Sequence, residues 1–390
     1  MGTFFSCRIG GLVTFKTGKL DSNASVLNGR YPFFTCSQET FHTNTYSFDG
    51  EYVLLAGNNA NGIFPLKYFV GKFDAYQRTY VIKSSHENNL VTKFLYYALK
   101  LKLDEFRVFS TGAATKFLTL TILNNTEIPL PPLPVQRRIA GILSAYDDLI
   151  ENNQRRIAVL ERMARSLYRE WFVHFRYPGH EGVPLVDSAL GPIPQGWEVK
   201  RLGDLTTYLN RGLAPSYDDG GNSVIINQKC IRDQRLNLEP ARRQSKLIPL
   251  EKKVKFGDVL INSTGVGTLG RVAQVYQRLE EYTVDTHVTI ARPNTETNLD
   301  FFGCTVLSFE ETFDRLGVGA TGQTELSRTS ISNVDLVVPP KFIQGEFGNI
   351  VHSIRMDVMT YTNQTQNLRR TRDLLLPRLL SGQLDVGAVE

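Results

Sequence analysis

The sequence predicts an α+β protein built as an internal repeat. Two globular domains of short strands and helices are separated by two long helices, which pair as an antiparallel intramolecular coiled coil with pseudo-two-fold symmetry. Three observations predict it. Glu127-Ile128-Pro129-Leu130-Pro131-Pro132 recurs as Asp335-Leu336-Val337-Val338-Pro339-Pro340, and the same offset of 208 aligns Leu118 with Leu326, Gln136 with Gln344 and Leu160 with Leu368. Each proline pair is followed by about 40 residues of helical periodicity. Each is preceded by a longer region of short apolar runs broken by Gly, Asn, Asp and Ser, the pattern of strands with irregular connections. The implied boundaries are a first globular domain at 1–132, a central helix at 133–178, a linker and second globular domain at 179–340, and a distal helix and tail at 341–390.

In chain order, Arg8-Ile9-Gly10-Gly11-Leu12 opens the first unit and is echoed by Arg201-Leu202-Gly203-Asp204-Leu205. Residues 52–55 and 79–82 read as strands, and 90–101 as a helix. In the second unit 259–261 and 288–291 read as strands, and 301–313 as a helix. Phe48-Asp49-Gly50-Glu51-Tyr52-Val53-Leu54 echoes Lys255-Phe256-Gly257-Asp258-Val259-Leu260. The offset differs from segment to segment, which places insertions inside the globular parts.

A proline pair can precede a helix but rarely sits inside one. In the first helix Ile139, Tyr146, Asn153, Leu160 and Leu167 recur every seven residues, as do Leu143, Ile150, Ile157, Ala164 and Trp171. In the second the rows are Phe347, Ile354, Tyr361, Leu368, Leu375 and Val351, Val358, Thr365, Arg372, Leu379. Two seams of equal length in one chain predict that the helices pack on each other, with Asn153 as the polar position that fixes register. About 40 helical residues span about 60 Å. Such a pair would be a rigid spacer between two non-identical heads. Antiparallel helices give the heads the local symmetry of duplex DNA, whose half-sites one turn apart lie about 34 Å from each other. The architecture suits a split DNA target with two different halves.

Composition permits this without demanding it. The net charge of +5 is compatible with nucleic acid. From Lys229 to Lys255 there are nine Lys/Arg against three Asp/Glu, a candidate phosphate-facing surface or a solvated loop face. No apolar run approaches the roughly 20 residues of a membrane span, and residues 1–12 show no secretory pattern. Cys7, Cys36, Cys230 and Cys304 are scattered singly, so neither a disulfide framework nor structural zinc is expected, and the expected location is cytoplasmic.

No catalytic motif is complete. Gly265-Val-Gly-Thr-Leu-Gly270 fits GxGxxG, but residues 271–276 read as a strand, where a dinucleotide site needs a helix N-terminus; a tight turn is the better account. There is no GxxxxGK[ST]. The proline pairs are preceded by Leu130 and Val338, so neither forms the Asn/Asp-Pro-Pro-Tyr/Phe loop of adenine methylation. His174, His287 and His352 show no metal-ligand spacing, and His287, in an alternating run, reads as structural or groove-facing. Asp147 and Asp148 fall on a long helix and read as a solvated or partner-facing surface. No catalytic residue and no metal site are expected.

Several segments together resemble type I restriction-modification specificity (S) subunits. They are Ile128-Pro-Leu-Pro-Pro-Leu-Pro-Val-Gln-Arg-Arg-Ile-Ala-Gly-Ile-Leu143, Asp147-Asp148-Leu-Ile-Glu-Asn-Asn153 and Met163-Ala-Arg-Ser-Leu-Tyr-Arg-Glu-Trp-Phe172, then Gly191-Pro-Ile-Pro-Gln-Gly-Trp197 and Arg369-Arg-Thr-Arg-Asp-Leu-Leu-Leu-Pro-Arg-Leu-Leu-Ser-Gly382. The resemblance covers the chain in order, although residues 341–349 lack the Arg-Arg-Ile-Ala pattern of 137–140. It implies a non-catalytic subunit with two target-recognition domains, each reading one half of an asymmetric bipartite site in double-stranded DNA. It also implies two methylation subunits docked on the helices and restriction subunits in the full complex. S-adenosylmethionine, ATP and magnesium are then expected on those partners, and no cofactor on this chain.

DNA contacts must come from loops, with Arg and Lys on phosphates and Arg, Asn, Gln or Ser on base edges. Candidates in the first domain are Lys16, Lys19, Ser37, Gln38, Asn58, Asn59, Arg78 and Lys116. In the second they are Arg211, Lys229, Arg232, Arg235, Arg242, Arg243 and Arg271. The alternatives are a stand-alone DNA methyltransferase or nuclease with an unrecognised site, and a coiled-coil adaptor spacing two protein-binding heads.

Overall fold

The computed structural model describes residues 4–60, 62–85, 88–112, 115–319 and 324–387. The chain divides into two compact units, Met1–Asn152 with Thr365–Glu390, and Asn153–Gln364. The divisions fall inside the two long helices, not at the proline pairs. No helix among the described residues is long and apolar enough to cross a membrane.

In unit 1, β1 (Val13–Thr17), β2 (Tyr31–Phe34), β3 (Phe41–Thr43), β4 (Phe48–Ala56), β5 (Leu66–Ala75) and β6 (Thr79–Ser84) form a sheet ordered β1-β6-β4-β5-β2-β3. β2 runs parallel to β5; the other neighbours are antiparallel. Strand alternation gives β4 two buried faces. Val53 and Leu55 join Phe94, Leu95 and Leu99 of α1 (Thr92–Leu101), while Leu54 joins Phe34, Phe48 and Phe73 on the other side. Ile139 and Leu143, from the first part of α2 (Leu133–Tyr168), enter the α1 core. Leu376, Leu379 and Leu380 of the distal helix close it.

Asp147 of α2 meets Arg372 at 2.5 Å and accepts a hydrogen bond from the Tyr97 hydroxyl at 2.7 Å. The expectation that both aspartates form a solvated or partner-facing surface holds for the exposed Asp148 but not for Asp147, which a guanidinium and a phenol hold inside the unit. The carboxylate and burial together push the Tyr97 hydroxyl well above its usual range.

Unit 2 repeats the plan. β7 (Thr206–Arg211), β8 (Ser223–Ile226), β9 (Arg242–Gln244), β10 (Val259–Asn262), β11 (Val272–Gln274), β12 (Tyr282–Val284) and β13 (Val288–Pro293) make two sheets, β7-β13-β10-β11 and β9-β8-β12, with β8 parallel to β12. The region expected as a helix at 301–313 is two helices, α3 (Leu299–Ser308) and Glu310–Arg315, parted at Phe309. Phe301, Trp171, Phe172, Trp197 and Phe347 share its main core. Phe347 lies on the distal helix, α4 (Lys341–Leu380). Here α2 and α4 run antiparallel: Asn153 Nδ2 donates to Gln364 Oε1 at 3.5 Å, and one turn on Arg156 donates to the Tyr361 hydroxyl at 3.2 Å.

Matching hydrogen bonds define the repeat at atomic level. The Gly57 N–H donates to Arg78 O as Ser263 does to His287 O; Tyr76 to Phe34 O as Asp285 to Ile226 O; Leu118 to Gly57 O as Leu326 to Ser263 O. These bonds, with the strand pairings, make Val53 the counterpart of Val259, a register that seven residues (48–54) echoed by six (255–260) leave open in the sequence. A slip of one residue exchanges the two faces of a strand. Gly50 and Gly257 are not counterparts, because Gly50 lies within β4 while Gly257 occupies the turn before β10.

Each helix is tied to its own head through a buried glutamine. Gln136 accepts from Val91 N–H at 2.9 Å and donates to Pro131 O at 2.8 Å; Gln344 accepts from Asn298 N–H at 3.1 Å and donates to Pro339 O at 2.9 Å. The helices also depart from ideal form at corresponding places. α2 continues as a π-type turn over Arg169–Val173, burying Trp171 and Phe172, and α4 carries Pro377 there.

Asp300, at the start of α3, is buried, and burial pushes its carboxyl up to about 6 despite His352 (Nδ1 at 3.4 Å) and Arg355, which favour the charged form. Its folded pKa thus lies above the unfolded value of about 3.9. The stability it contributes is complete below that value and is lost as pH rises through 6. Melting curves should therefore show Asp300→Asn gaining on the wild type between about pH 4 and 6 and keeping a constant margin above. A margin that does not change across that window would rule this out.

Candidate nucleic-acid interface

In unit 1 the loops at one end of the sheet gather most of the predicted residues. The turn between β5 and β6 carries Arg78, exposed, with its guanidinium 5.7 Å above the Phe117 ring. Beside it Asn58 and Asn59 pair with Phe117 and Lys116 in a two-residue ladder. Cys36, after β2, donates its thiol to Asn58 Oδ1 at 3.0 Å and so fixes that amide. Lys16 and Lys19 lie at and just beyond the end of β1, where Gly18 N–H reaches Thr79 O at 3.3 Å; both are exposed. Gln38 is exposed, but Ser37 is half-buried and its hydroxyl accepts from Glu39 N–H at 3.1 Å, a local turn that occupies it.

The corresponding end of unit 2 carries different chemistry. His287 stands where Arg78 does, and its Nδ1 lies 2.6 Å from Thr264 Oγ1, the counterpart of Asn58. Asp285 accepts from His287 N–H at 2.8 Å and sets this turn; burial raises its carboxyl. Gln228 replaces Cys36. Its Oε1 is buried without a hydrogen-bond partner among the described residues, as is Asn262 Oδ1. Glu325 replaces Phe117 and pairs with Arg211 at 2.8 Å; Arg211 also donates to Leu326 O at 3.0 Å. Arg271 caps the Gly265–Gly270 turn through Gly267 O at 2.8 Å. That turn leads into strand β11, as the sequence indicates.

The cations of the basic run have several different partners. Lys229 is exposed at the sheet end, and Arg232 is exposed on a hairpin. Arg235, on the same hairpin, is held bidentate by Glu161 of α2 at 2.6 Å, and this pairing raises its pKa. Arg242 stacks on Tyr217 at 3.7 Å, and Arg243 donates to Gly221 O at 2.9 Å. Lys252 donates to Gly212 O at 2.9 Å and Lys253 pairs with Glu281. Arg242, Arg243 and Lys252 thus all contact the segment 212–221, while Arg235 turns to α2. The sequence did not single out Thr264, or Arg328, which donates to Asn210 Oδ1 at 2.7 Å beside Arg211.

The predicted seam positions are buried or half-buried along both helices: Ile139, Leu143, Tyr146, Ile150, Asn153, Ile157, Leu160 and Leu167, and Phe347, Val351, Ile354, Val358, Tyr361, Leu368 and Leu375. Among the described residues no three His, Cys, Asp or Glu side chains are placed to hold a metal ion.

Comparisons with known proteins agree on one family. A model described as the type I restriction modification DNA specificity domain matches residues 2–162 and 194–368. The type I restriction enzyme MjaIX specificity subunit of Methanocaldococcus jannaschii is 27% identical over 311 residues, covering 77% of this chain and 71% of that protein. The EcoDI specificity subunit of Escherichia coli is 34% identical over 171 residues, covering 44% of this chain and 37% of that protein. The crystal structure of the type I restriction-modification S subunit from M. genitalium shares the fold, with a TM-score of 0.67 at 17% identity, covering 98% of this chain and 97% of that one.

Proposed function

Since the chain belongs to the type I restriction-modification DNA specificity family, matched over both of its units, we propose that each unit reads one half of an asymmetric, split DNA sequence. The chain is a DNA sequence-specificity subunit and not itself an enzyme. One observation carries the two-half reading: the same set of loops occurs at the sheet end of each unit with different residues, Arg78 and Asn58 in one, His287 and Thr264 in the other. Phosphate contacts come from exposed cations such as Lys16, Lys19, Lys229 and Arg232, and base contacts from the turns.

Methylation subunits, two in number, dock on the outer faces of α2 and α4 and bring S-adenosylmethionine. Restriction subunits join with ATP and magnesium. The complex works on DNA in the cytoplasm. The test is to co-express the chain with its methylation subunit and map adenine methylation across the genome. A split motif is expected, and exchanging residues 1–130 for those of a relative should change one half of it only. Loss or change of both halves together, or no motif at all, would overturn the reading.

A further inference from the structure

The two units differ sharply at one corresponding place on their helices. In unit 1, Asp147 of α2, Arg372 of α4 and Tyr97 of α1 meet as an ion pair closed by a phenol. The offset of 208 takes Asp147 to Arg355 and carries Ala164 to Arg372. The glutamine bonds that align α1 with α3 match Tyr97 with Cys304. Arg355, Ala164 and Cys304 all line one cavity of about 430 Å³ in unit 2. Two large side chains have become alanine and cysteine, and the volume they fill in unit 1 is open.

The cavity has an apolar wall of Tyr168, Ile354 and Val358 and a basic rim, Arg162, Arg165 and Arg169. Its acid, Glu161, is already bound by Arg235. Arg355 Nε is buried and has no hydrogen-bond partner among the described residues, while Nη2 reaches Cys304 Sγ at 3.7 Å. A charged donor so placed calls for a carboxylate. In unit 1 the chain supplies both members of the pair in direct contact; in unit 2 the acid coupled to Arg355, the buried Asp300, makes no direct ion pair with it among the described residues. Val159, Met163 and Met356 are also exposed on the same two helices, apolar side chains of the kind that mark protein–protein contact.

We propose that this cavity seats an acidic side chain of the methylation subunit, its carboxylate on Arg355 and its stem against Tyr168, Ile354 and Val358. The inference rests on the reading that a methylation subunit docks on these helices. It makes the two docking faces unequal, since unit 1 closes its own ion pair and unit 2 completes one only with a partner.

The test uses the full chain and its methylation subunit. The triple variant Ala164→Arg, Cys304→Tyr, Arg355→Asp installs the unit 1 side chains at these three places and should still melt cooperatively, although it removes the cation that favours the charged form of Asp300. It should bind the methylation subunit at least tenfold more weakly and lose one copy from the complex in native mass spectrometry. Arg355→Ala, which leaves the cavity open, should weaken binding to a similar degree. Wild-type affinity and copy number in both variants, with the fold intact, would overturn the inference and leave the functional reading standing. Failure of the wild-type chain to bind at all would instead overturn that reading. If 4-hydroxyphenylacetate stabilised the wild type but not the triple variant, with methylation-subunit binding unaffected, the cavity would belong to a small carboxylate and the inference would fall.

Discussion

Gly212→Ala is expected to abolish methylation by the assembled complex and to lower the melting of unit 2 by the equivalent of about 3 kcal/mol or more. A Cβ on Gly212 would lie 1.6 Å from Val284 O and 2.3 Å from Val284 C. Those atoms belong to the backbone of β12, so no side-chain rotation relieves the clash. Here the chain leaving β7 crosses the end of β12 and bonds to it, Leu213 N–H to Val284 O at 2.9 Å, beside the turn that carries His287. The repeat supplies a matched lesion, since a Cβ on Gly18 would lie 1.8 Å from Ala75 O, beside the turn that carries Arg78. Gly141→Ala is the control. Nothing approaches its Cβ within 4 Å, and alanine in a helix should stabilise by about 1 kcal/mol. Calorimetry that finds Gly212→Ala and Gly141→Ala equally stable would refute the close-approach argument.

Arg78→Ala should relax one base position in one half of the methylated motif by about tenfold to a hundredfold, as loss of a bidentate arginine–guanine contact would, and leave the other half unchanged. Arg78 is exposed, the Phe117 ring lies under its guanidinium, and Asn58 beside it is fixed by Cys36. His287→Ala should do the reverse and alter only the half read by unit 2. Arg235→Ala provides the contrast. Its fork is taken by Glu161, so it should cost stability without changing either half. Methylation maps of the three variants decide the matter, and an unaltered motif in Arg78→Ala would remove that turn from the reading surface.

The features visible in the sequence are those with a local signature. Proline pairs announce the helices, and the heptads Ile139 to Leu167 and Phe347 to Leu375 announce their inner faces, because both follow from chemistry within a few residues. Strand register was not legible. Setting Val53 against Val259 depends on bonds such as Ser263 N–H to His287 O, which join distant parts of the chain. The partners within the basic run were not legible for the same reason: Arg235 is taken by Glu161, far away in sequence, while Lys252 and Arg242 meet Gly212 and Tyr217. The sign reversal between Asp147 and Arg355 was visible at the repeat offset. Its meaning required knowing that Tyr97 and Arg372 fill one place and that Cys304 and Ala164 leave the other open.

The division of the chain into units also sets an order of manufacture. Unit 2 is one continuous stretch, residues 153–364, whereas unit 1 combines 1–152 with 365–390. Domains usually complete in the order they leave the ribosome. Here the half synthesised first must wait, because Leu376, Leu379 and Leu380 close its core and are translated only after unit 2 is whole. Until then Ile139 and Leu143 lack the leucines that finally cover them. Premature termination shortly after residue 364 would therefore spare the later half and leave the earlier one unfinished.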